Sequence, residues 1–324
     1  MIGSMPTSTD TTLALRIADK TQVATDIVAF ELMRPGGEDL PEFTPGAHIA
    51  VKTPSGLRRK YSLYNAPSER GHYQIAVKRE SRRNSSSTSL IDATQVGDML
   101  EASAPRNNFP LGASQLGYVL IAGGIGITPL LSMVRHLREI GETGFKLYYC
   151  TRSPEHTAFL EELSAPELRG KVVIHHDGGE PDRMLDFWPV LESPNGRQVY
   201  CCGPQALMRE VQDMSGHWPS TAVHFETFTD AAVSRPDDKP FQLRLARSGV
   251  VLDVPVGATI LDTLRGRGYD LRSSCESGTC GTCITRYLSG EADHRDFVLH
   301  EDGRATHIMI CVSRARSDEL VLDL

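Results

Sequence analysis

The sequence predicts a multidomain α/β protein: an antiparallel β-barrel, a parallel sheet covered by helices, and a small domain around a cysteine loop. Three observations carry this. Short strand patterns bounded by Gly, Pro, Asn or Ser fill the first third of the 324 residues. Five apolar runs, most of them separated by helical patterns, fill the middle. A C-x4-C-x2-C string, with one further cysteine beyond it, lies in the last third. A chain of this length exceeds one ordinary core, so two or three domains are expected.

In the first third, GAHIAVKTP, LRRKYSLYN, YQIAVKRE and GDMLEASAP read as strands with turn punctuation, which suggests the barrel. Within RKYS, alternation puts Arg59 and Tyr61 on one strand face, so a cation and a ring project together as a flavin phosphate and ring require. An exposed basic strand edge is the alternative. Beyond Lys78, the stretch SRRNSSSTSLIDA runs from a polar loop into a helical pattern. Ser85, Ser86 and Ser87 then stand at a helix start, where free N–H groups favour an anion, although a serine-rich surface loop reads the same way.

The middle third contains YVLIAGG, FKLYYCT, KVVIHHD, QVYCCG and AVHFETF, the signature of a parallel sheet with helical crossovers. PLLSMVRHLREIGE is the clearest helix, with Pro129 in its first turn and Gly141 closing it. The link GGIGITP lets the backbone approach a ligand and offers a helix start to a pyrophosphate. It departs from G-x-G-x-x-G, whose third glycine would fall at Pro129. A second turn, Cys202-Gly203-Pro204, follows the fourth strand, so Cys202 is placed to border a nicotinamide, while Cys150 and Cys201 read as core thiols. Asp177 at a strand end is suited either to a ribose hydroxyl or to capping a turn. Glu226 and Phe228 share a strand face, so the ring can stack on a flavin with the carboxylate near it, or pack in a core.

A polar, proline-ended stretch at 230–240 reads as a linker. FQLRLARSGVVLDVPV reads as a hairpin, TILDTLRGRG as a helix and ELVLDL as a closing strand. Cys275, Cys280 and Cys283, followed by the distant Cys311, have the ligand spacing of a plant-type 2Fe-2S cluster. The residues between them are small, as a loop that hydrogen-bonds cluster sulfurs through its backbone must be. Structural zinc is the alternative, with His307 four positions before Cys311. Seven cysteines in 324 residues are too sparse for a disulfide framework.

The composition, 40% hydrophobic and 23% charged, is that of a globular protein. A net charge of -7 argues against nucleic-acid binding, and no run of eighteen apolar residues predicts a membrane span. The start lacks an export signal, so a cytoplasmic location is expected.

With RKYS, GGIGITP, CCGP and the four cysteines in that order, the chain resembles the phthalate dioxygenase reductase family. The resemblance implies an FMN-binding barrel at 1–113, an NADH-binding α/β domain of ferredoxin reductase type at 114–229, and a β-grasp ferredoxin domain at 241–324. It implies an NADH oxidoreductase, expected as a monomer, that passes electrons to a separate Rieske-type oxygenase. Phthalate dioxygenase is the first expectation. An oxygenase of vanillate, phenoxybenzoate or carnitine breakdown, or a non-enzymatic iron-sulfur sensor, is the alternative. By position, Arg59, Tyr61, Ser62 and Lys78 would contact the flavin and Ser85 to Ser87 its phosphate. Phe228 would cover the isoalloxazine, and Gly124, Thr128, Thr151, Cys202 and Gly203 would line the NADH site. Arg152, after Thr151, departs toward a residue suited to the 2′-phosphate of NADPH.

Overall fold

The computed structural model describes residues 12–80, 86–228, 235 and 237–324. Ser85 and most of the expected linker therefore lie outside the described residues. By its contacts the chain divides into two units, Met1–Leu207 and Met208–Leu324.

The first unit opens with strands β1 (Thr12–Ala24), β2 (Ile27–Met33), β3 (Ala47–Lys52), β4 (Arg58–Ser62) and β5 (Tyr73–Lys78). Helix α1 (Ser86–Asp92) and strands β6 (Met99–Ser103) and β7 (Arg106–Asn107) follow. The sheet runs β4-β3-β6-β1-β2-β5 with β7 on β3, and the pairings are antiparallel. A bridge between Leu63 and Ile75 joins its two edges, which closes the barrel. Alternating inward residues such as Leu15, Ile17, Ile49, Val51, Leu63 and Ile75 fill it. The long β1–β2 hairpin escaped the sequence reading. Its distal half carries Asp19, Lys20, Thr21 and Gln22, and register shifts at Ile17/Asp19 and Gln22/Ala24 break the two-residue period.

Four parallel strands come next, β8 (Tyr118–Gly123), β9 (Phe145–Thr151), β10 (Val172–His176) and β11 (Gln198–Cys202), in the order β10-β9-β8-β11. Every residue of β8 is buried, as a central strand covered on both faces requires. Helix α2 (Ile127–Glu139) follows β8, and short helices α3 (Leu160–Leu163) and α4 (Trp188–Leu191) lie further along. The buried face of α2 includes Leu130, Met133, Val134 and Leu137, and Gly141 follows it with φ 73°. These residues share one apolar cluster with Ile27, Ala29, Tyr64, Ala76 and Phe109 of the barrel. Polar contacts reinforce that seam: Ser132 donates to the Asn65 carbonyl at 2.9 Å, and the Arg135 guanidinium lies 5.3 Å from the Tyr64 ring centre.

Helix α5 (Gln205–Met214) runs into the second unit, where β12 (Val223–Glu226) follows it. Strands β13 (Phe241–Leu245) and β14 (Val251–Val254) form the expected hairpin, turning at Gly249 with φ 69°. Helix α6 (Ile260–Arg265) begins at Thr259, whose hydroxyl accepts the Asp262 N–H at 2.9 Å. Then come β15 (Ile284–Ser289), β16 (Ala292–Asp293), α7 (Glu301–Arg304), β17 (His307–Met309), β18 (Arg314–Ala315) and β19 (Glu319–Leu322). The main sheet is β14-β13-β19-β15-β17, with β13 and β19 parallel, and α6 packs Ile260, Leu261 and Leu264 into its core. A mixed sheet crossed by one helix is the β-grasp arrangement.

His48 is buried in β3, where desolvation first, and then Lys60 and Arg106, lower its pKa from 6.5 to about 4. Below pH 6.5 the unfolded chain takes up a proton that the folded chain refuses until about pH 4. Stability therefore falls as pH drops through that window, by up to about tenfold in the folding equilibrium per pH unit. Denaturant titrations of His48→Gln between these limits should show a shallower decline than the unsubstituted protein, and equal slopes would refute the assignment.

Candidate functional site

The parallel sheet places three strand ends and one turn around a cleft of about 240 Å³. Gly123 and Gly124 come from the end of β8, Cys150, Thr151 and Arg152 from β9, Asp177 and Gly179 from beyond β10, and Pro204 from the turn after β11. Ligands in open α/β sheets bind beyond these carboxyl ends. The backbone explains the shape. A Cβ on Gly126 would stand 2.1 Å from the Cys202 carbonyl oxygen, and one on Gly203 would stand 3.0 Å from Gly123 Cα, so the two turns pack glycine against backbone. Gly124 is different. It holds φ 52°, and the nearest atom to its added Cβ is Lys78 Nζ at 3.8 Å, which leaves its surface open to the cleft.

Charge in the cleft is mixed. Lys78 closes the barrel side, its ammonium 3.3 Å from Asp26 Oδ2, and Arg152 enters from the end of β9. Asp177 accepts the Gly179 N–H at 2.7 Å, so it caps its own turn while lining the cleft. Cys150 lines the cleft as well, and burial, then Asp177, pushes its thiol up to about 12, so it stays protonated at neutral pH. A diphosphate with two riboses suits these cationic, backbone and carboxylate groups.

On the barrel, Arg59 and Tyr61 lie on β4, paired opposite Val51 and Ile49. The Tyr61 hydroxyl and the Ser86 hydroxyl are buried without a hydrogen-bond partner among the described residues. Buried polar atoms of this kind are normally satisfied, and a flavin offers ring and phosphate acceptors for them. Burial raises the Tyr61 pKa, Arg59 opposing it, so the phenol keeps its proton. Ser87 is buried at the start of α1, and Ser62 is buried at the end of β4.

The cysteine loop lies between α6 and β15. Its four thiols stand as two contacting pairs, Cys275 with Cys280 and Cys283 with Cys311. In each pair the bond from its partner lowers one thiol, Cys275 to about 4 and Cys283 likewise downward, while Cys280 and Cys311 are raised. Backbone donors already face sulfur: Ser277 N–H points at Cys275 Sγ at 3.4 Å and Cys275 N–H at Cys280 Sγ at 3.5 Å. Among the described residues, no three His, Cys, Asp or Glu groups converge as one ion requires. Two thiol pairs fit a group with two irons, each taking two thiolates. Cys275, Cys283 and Cys311 are buried and Cys280 is half-exposed, so the loop opens to solvent on the Cys280 side.

The structure brings Lys78, Gly124, Thr151 and Asp177 together at the cleft. Thr151 Oγ1 is already engaged with Thr157 at 2.7 Å and His176 at 3.1 Å. Thr128 and Cys202 are buried behind the cleft, Thr128 bonded to the Ile125 carbonyl at 3.1 Å. Glu226 ends β12, and the Phe228 ring beyond it is 42% exposed, free to cover a planar ligand. The sequence reading missed His156 and the cleft wall of Glu180, Pro181, Met184 and Leu185. The loop after β10 has no apolar period, and the one legible signal in it was Asp177-Gly178-Gly179.

Three family models match the chain: an oxidoreductase FAD-binding domain at 14–110, an oxidoreductase NAD-binding domain at 120–213, and a 2Fe-2S iron-sulfur cluster binding domain at 243–316. The chain is 53% identical over 313 residues to the phthalate dioxygenase reductase of Burkholderia cepacia, covering 96% of this chain and 97% of that protein. It is 50% identical over 311 residues to the phthalate 4,5-dioxygenase oxygenase reductase subunit of Pseudomonas putida, covering 96% of each. A solved phthalate dioxygenase reductase structure, described as modular for electron transfer from pyridine nucleotides to [2Fe-2S], superposes with a TM-score of 0.69 at 53% identity. That match covers 97% of this chain and 98% of the other.

The two glycines of the first turn should separate under substitution. Gly126→Ala meets the Cys202 carbonyl and should cost about 2–3 kcal/mol in denaturant unfolding. Gly124→Ala costs only the left-handed backbone, about 1–2 kcal/mol, but projects a methyl into the cleft and should weaken dinucleotide binding more than tenfold. Equal affinities for Gly124→Ala and the unsubstituted protein would remove this turn from the nucleotide site.

Proposed function

The chain belongs to the phthalate dioxygenase reductase family, and from that premise we propose that it moves electrons from NADH through FMN and a 2Fe-2S cluster to a Rieske-type aromatic-ring oxygenase, phthalate dioxygenase first. It is an NADH-dependent oxidoreductase. The carrying observation is the coexistence in one chain of a dinucleotide cleft, a barrel with unsatisfied buried hydroxyls and a loop with two thiol pairs. When bound, a flavin joins a two-electron hydride donor to a one-electron acceptor.

The residues then divide the work. Arg59, Tyr61, Ser62 and Lys78 hold the flavin and Ser85 to Ser87 its phosphate; the unpartnered Tyr61 and Ser86 hydroxyls support this. Gly124, Thr128, Thr151, Cys202 and Gly203 would line the NADH site, with Cys202 bordering the nicotinamide and Asp177 at a ribose hydroxyl. Phe228 would cover the isoalloxazine where the nicotinamide must come, and Glu226 would place a carboxylate near it. Cys275, Cys280, Cys283 and Cys311 hold the cluster, with the Cys280 side as the outlet. No described helix is long and apolar enough to cross a membrane. A cytoplasmic monomer completes the reading: thiolate ligands persist in a reducing compartment.

Flavin released by heat should migrate as FMN in chromatography, and FAD would correct the cofactor. NADH added anaerobically should bleach the flavin and then the cluster, and a protein whose spectrum NADH leaves unchanged would refute the reading. Cys280→Ser should keep flavin bleaching and abolish delivery to purified phthalate dioxygenase. Equal delivery to a vanillate-type oxygenase, measured alongside, would refute the assigned partner.

A further inference from the structure

The residues 294–299, between β16 and α7, together with Asp293 at the end of β16, meet three other parts of the second unit at once. The first is the cysteine loop. Phe297 N–H donates to the Gly278 carbonyl at 2.9 Å. Gly278 holds φ 75°, and a Cβ there would stand 3.2 Å from Asp296 Cα and 2.7 Å from Val312 Cγ2, so the loop lies directly on this segment. Asp296 has a fully buried side chain, and its Oδ1 accepts the Val298 and Leu299 N–H groups at 3.0 and 2.7 Å, which holds the turn that presents Phe297.

The second part is β12. The Phe297 ring meets the Phe225 ring with centroids 5.3 Å apart and planes at 33°. Phe225 immediately precedes Glu226 and lies three residues before Phe228. The third part is the far end of the expected linker. The Arg295 guanidinium binds both carboxylate oxygens of Asp238, and also Asp293 Oδ2 at 2.7 Å. Arg235 reaches Asp293 from the same side at 3.6 Å. The Asp238 and Arg295 side chains are only 4% and 10% exposed, so this pair is held away from solvent. Buried ion pairs contribute little net stability, but breaking one leaves an unpaired buried charge and is costly.

We propose that Phe297 and Arg295 are positioning residues for electron transfer into the cluster: they fix the cysteine loop to the strand that carries Glu226 and to the end of the linker. This rests on the proposed function, because it takes flavin and cluster as donor and acceptor. Neither side chain is a cluster ligand, and neither lines the nucleotide cleft. Their effect belongs to the second electron-transfer step alone.

The test is rapid mixing of the FMN- and cluster-loaded protein with NADH, following flavin bleaching and cluster reduction separately, with the cluster potential measured in parallel. Phe297→Ala should leave flavin bleaching unchanged and slow cluster reduction at least about tenfold, the scale of a small misplacement. Phe297→Leu, which keeps apolar bulk against Phe225, should recover most of the rate. Phe225→Ala should slow the same step without touching the cysteine loop, and it carries the test if Phe297→Ala fails to hold its cluster. Cluster reduction at the unsubstituted rate in both alanine variants overturns the proposal. A slowing matched by a shifted cluster potential also overturns it, because driving force and not position would then be responsible. Absence of flavin bleaching in the unsubstituted protein would instead refute the proposed function.

Discussion

No side chain fits between the two turns that follow β8 and β11. A methyl group on Gly126 would overlap the Cys202 carbonyl, and one on Gly203 would press on Gly123 at 3.0 Å. That contact sets where α2 starts and leaves Gly124 as the open floor of the cleft. Because α2 starts there, its buried face falls both on the sheet and on Tyr64, Ala76 and Phe109 of the barrel. One backbone packing constraint thus positions the cleft at the strand ends, and the barrel and the sheet share a single apolar cluster.

The cysteine loop is organised by a different constraint, the need to turn sharply with little bulk. Glu276, Gly278 and Gly281 all have positive φ, at 54°, 75° and 80°. For Glu276 this conformation is unfavourable, and its carboxylate is held by the Arg265 guanidinium and the Ser273 hydroxyl, each at 2.7 Å. The loop is therefore shaped by its neighbours, with α6 supplying Arg265 on one side and Asp296 and Val312 filling the other. Its thiols are already gathered in pairs, which reduces the reorganisation needed to take up a cluster.

Much of this was legible in the chain because the signals are local. The C-x4-C-x2-C spacing, the five apolar runs, Pro129 in the first turn of α2 and the Ser248-Gly249 turn each depend on residues near one another in sequence. The β1–β2 hairpin was not, because its bulges interrupt the alternation on which strand recognition rests. Thr128 and Cys202 were placed by their motifs alone, but depth is a matter of packing, and the structure buries both behind the surface that Gly124 exposes. His156 and Met184 reach the cleft from loops whose sequence has no period to read.

The sequence by itself determined the order of the three parts, the C-x4-C-x2-C loop and the glycine turn at the head of the sheet, since each is encoded by spacing or periodicity within a short window. Only the tertiary structure decided that the barrel and the sheet share one core, that the four thiols meet as two pairs, and that Phe297 touches both Gly278 and Phe225. Those are contacts between residues far apart in the chain, set by which surfaces exclude water together and which backbones can approach. No local pattern records them.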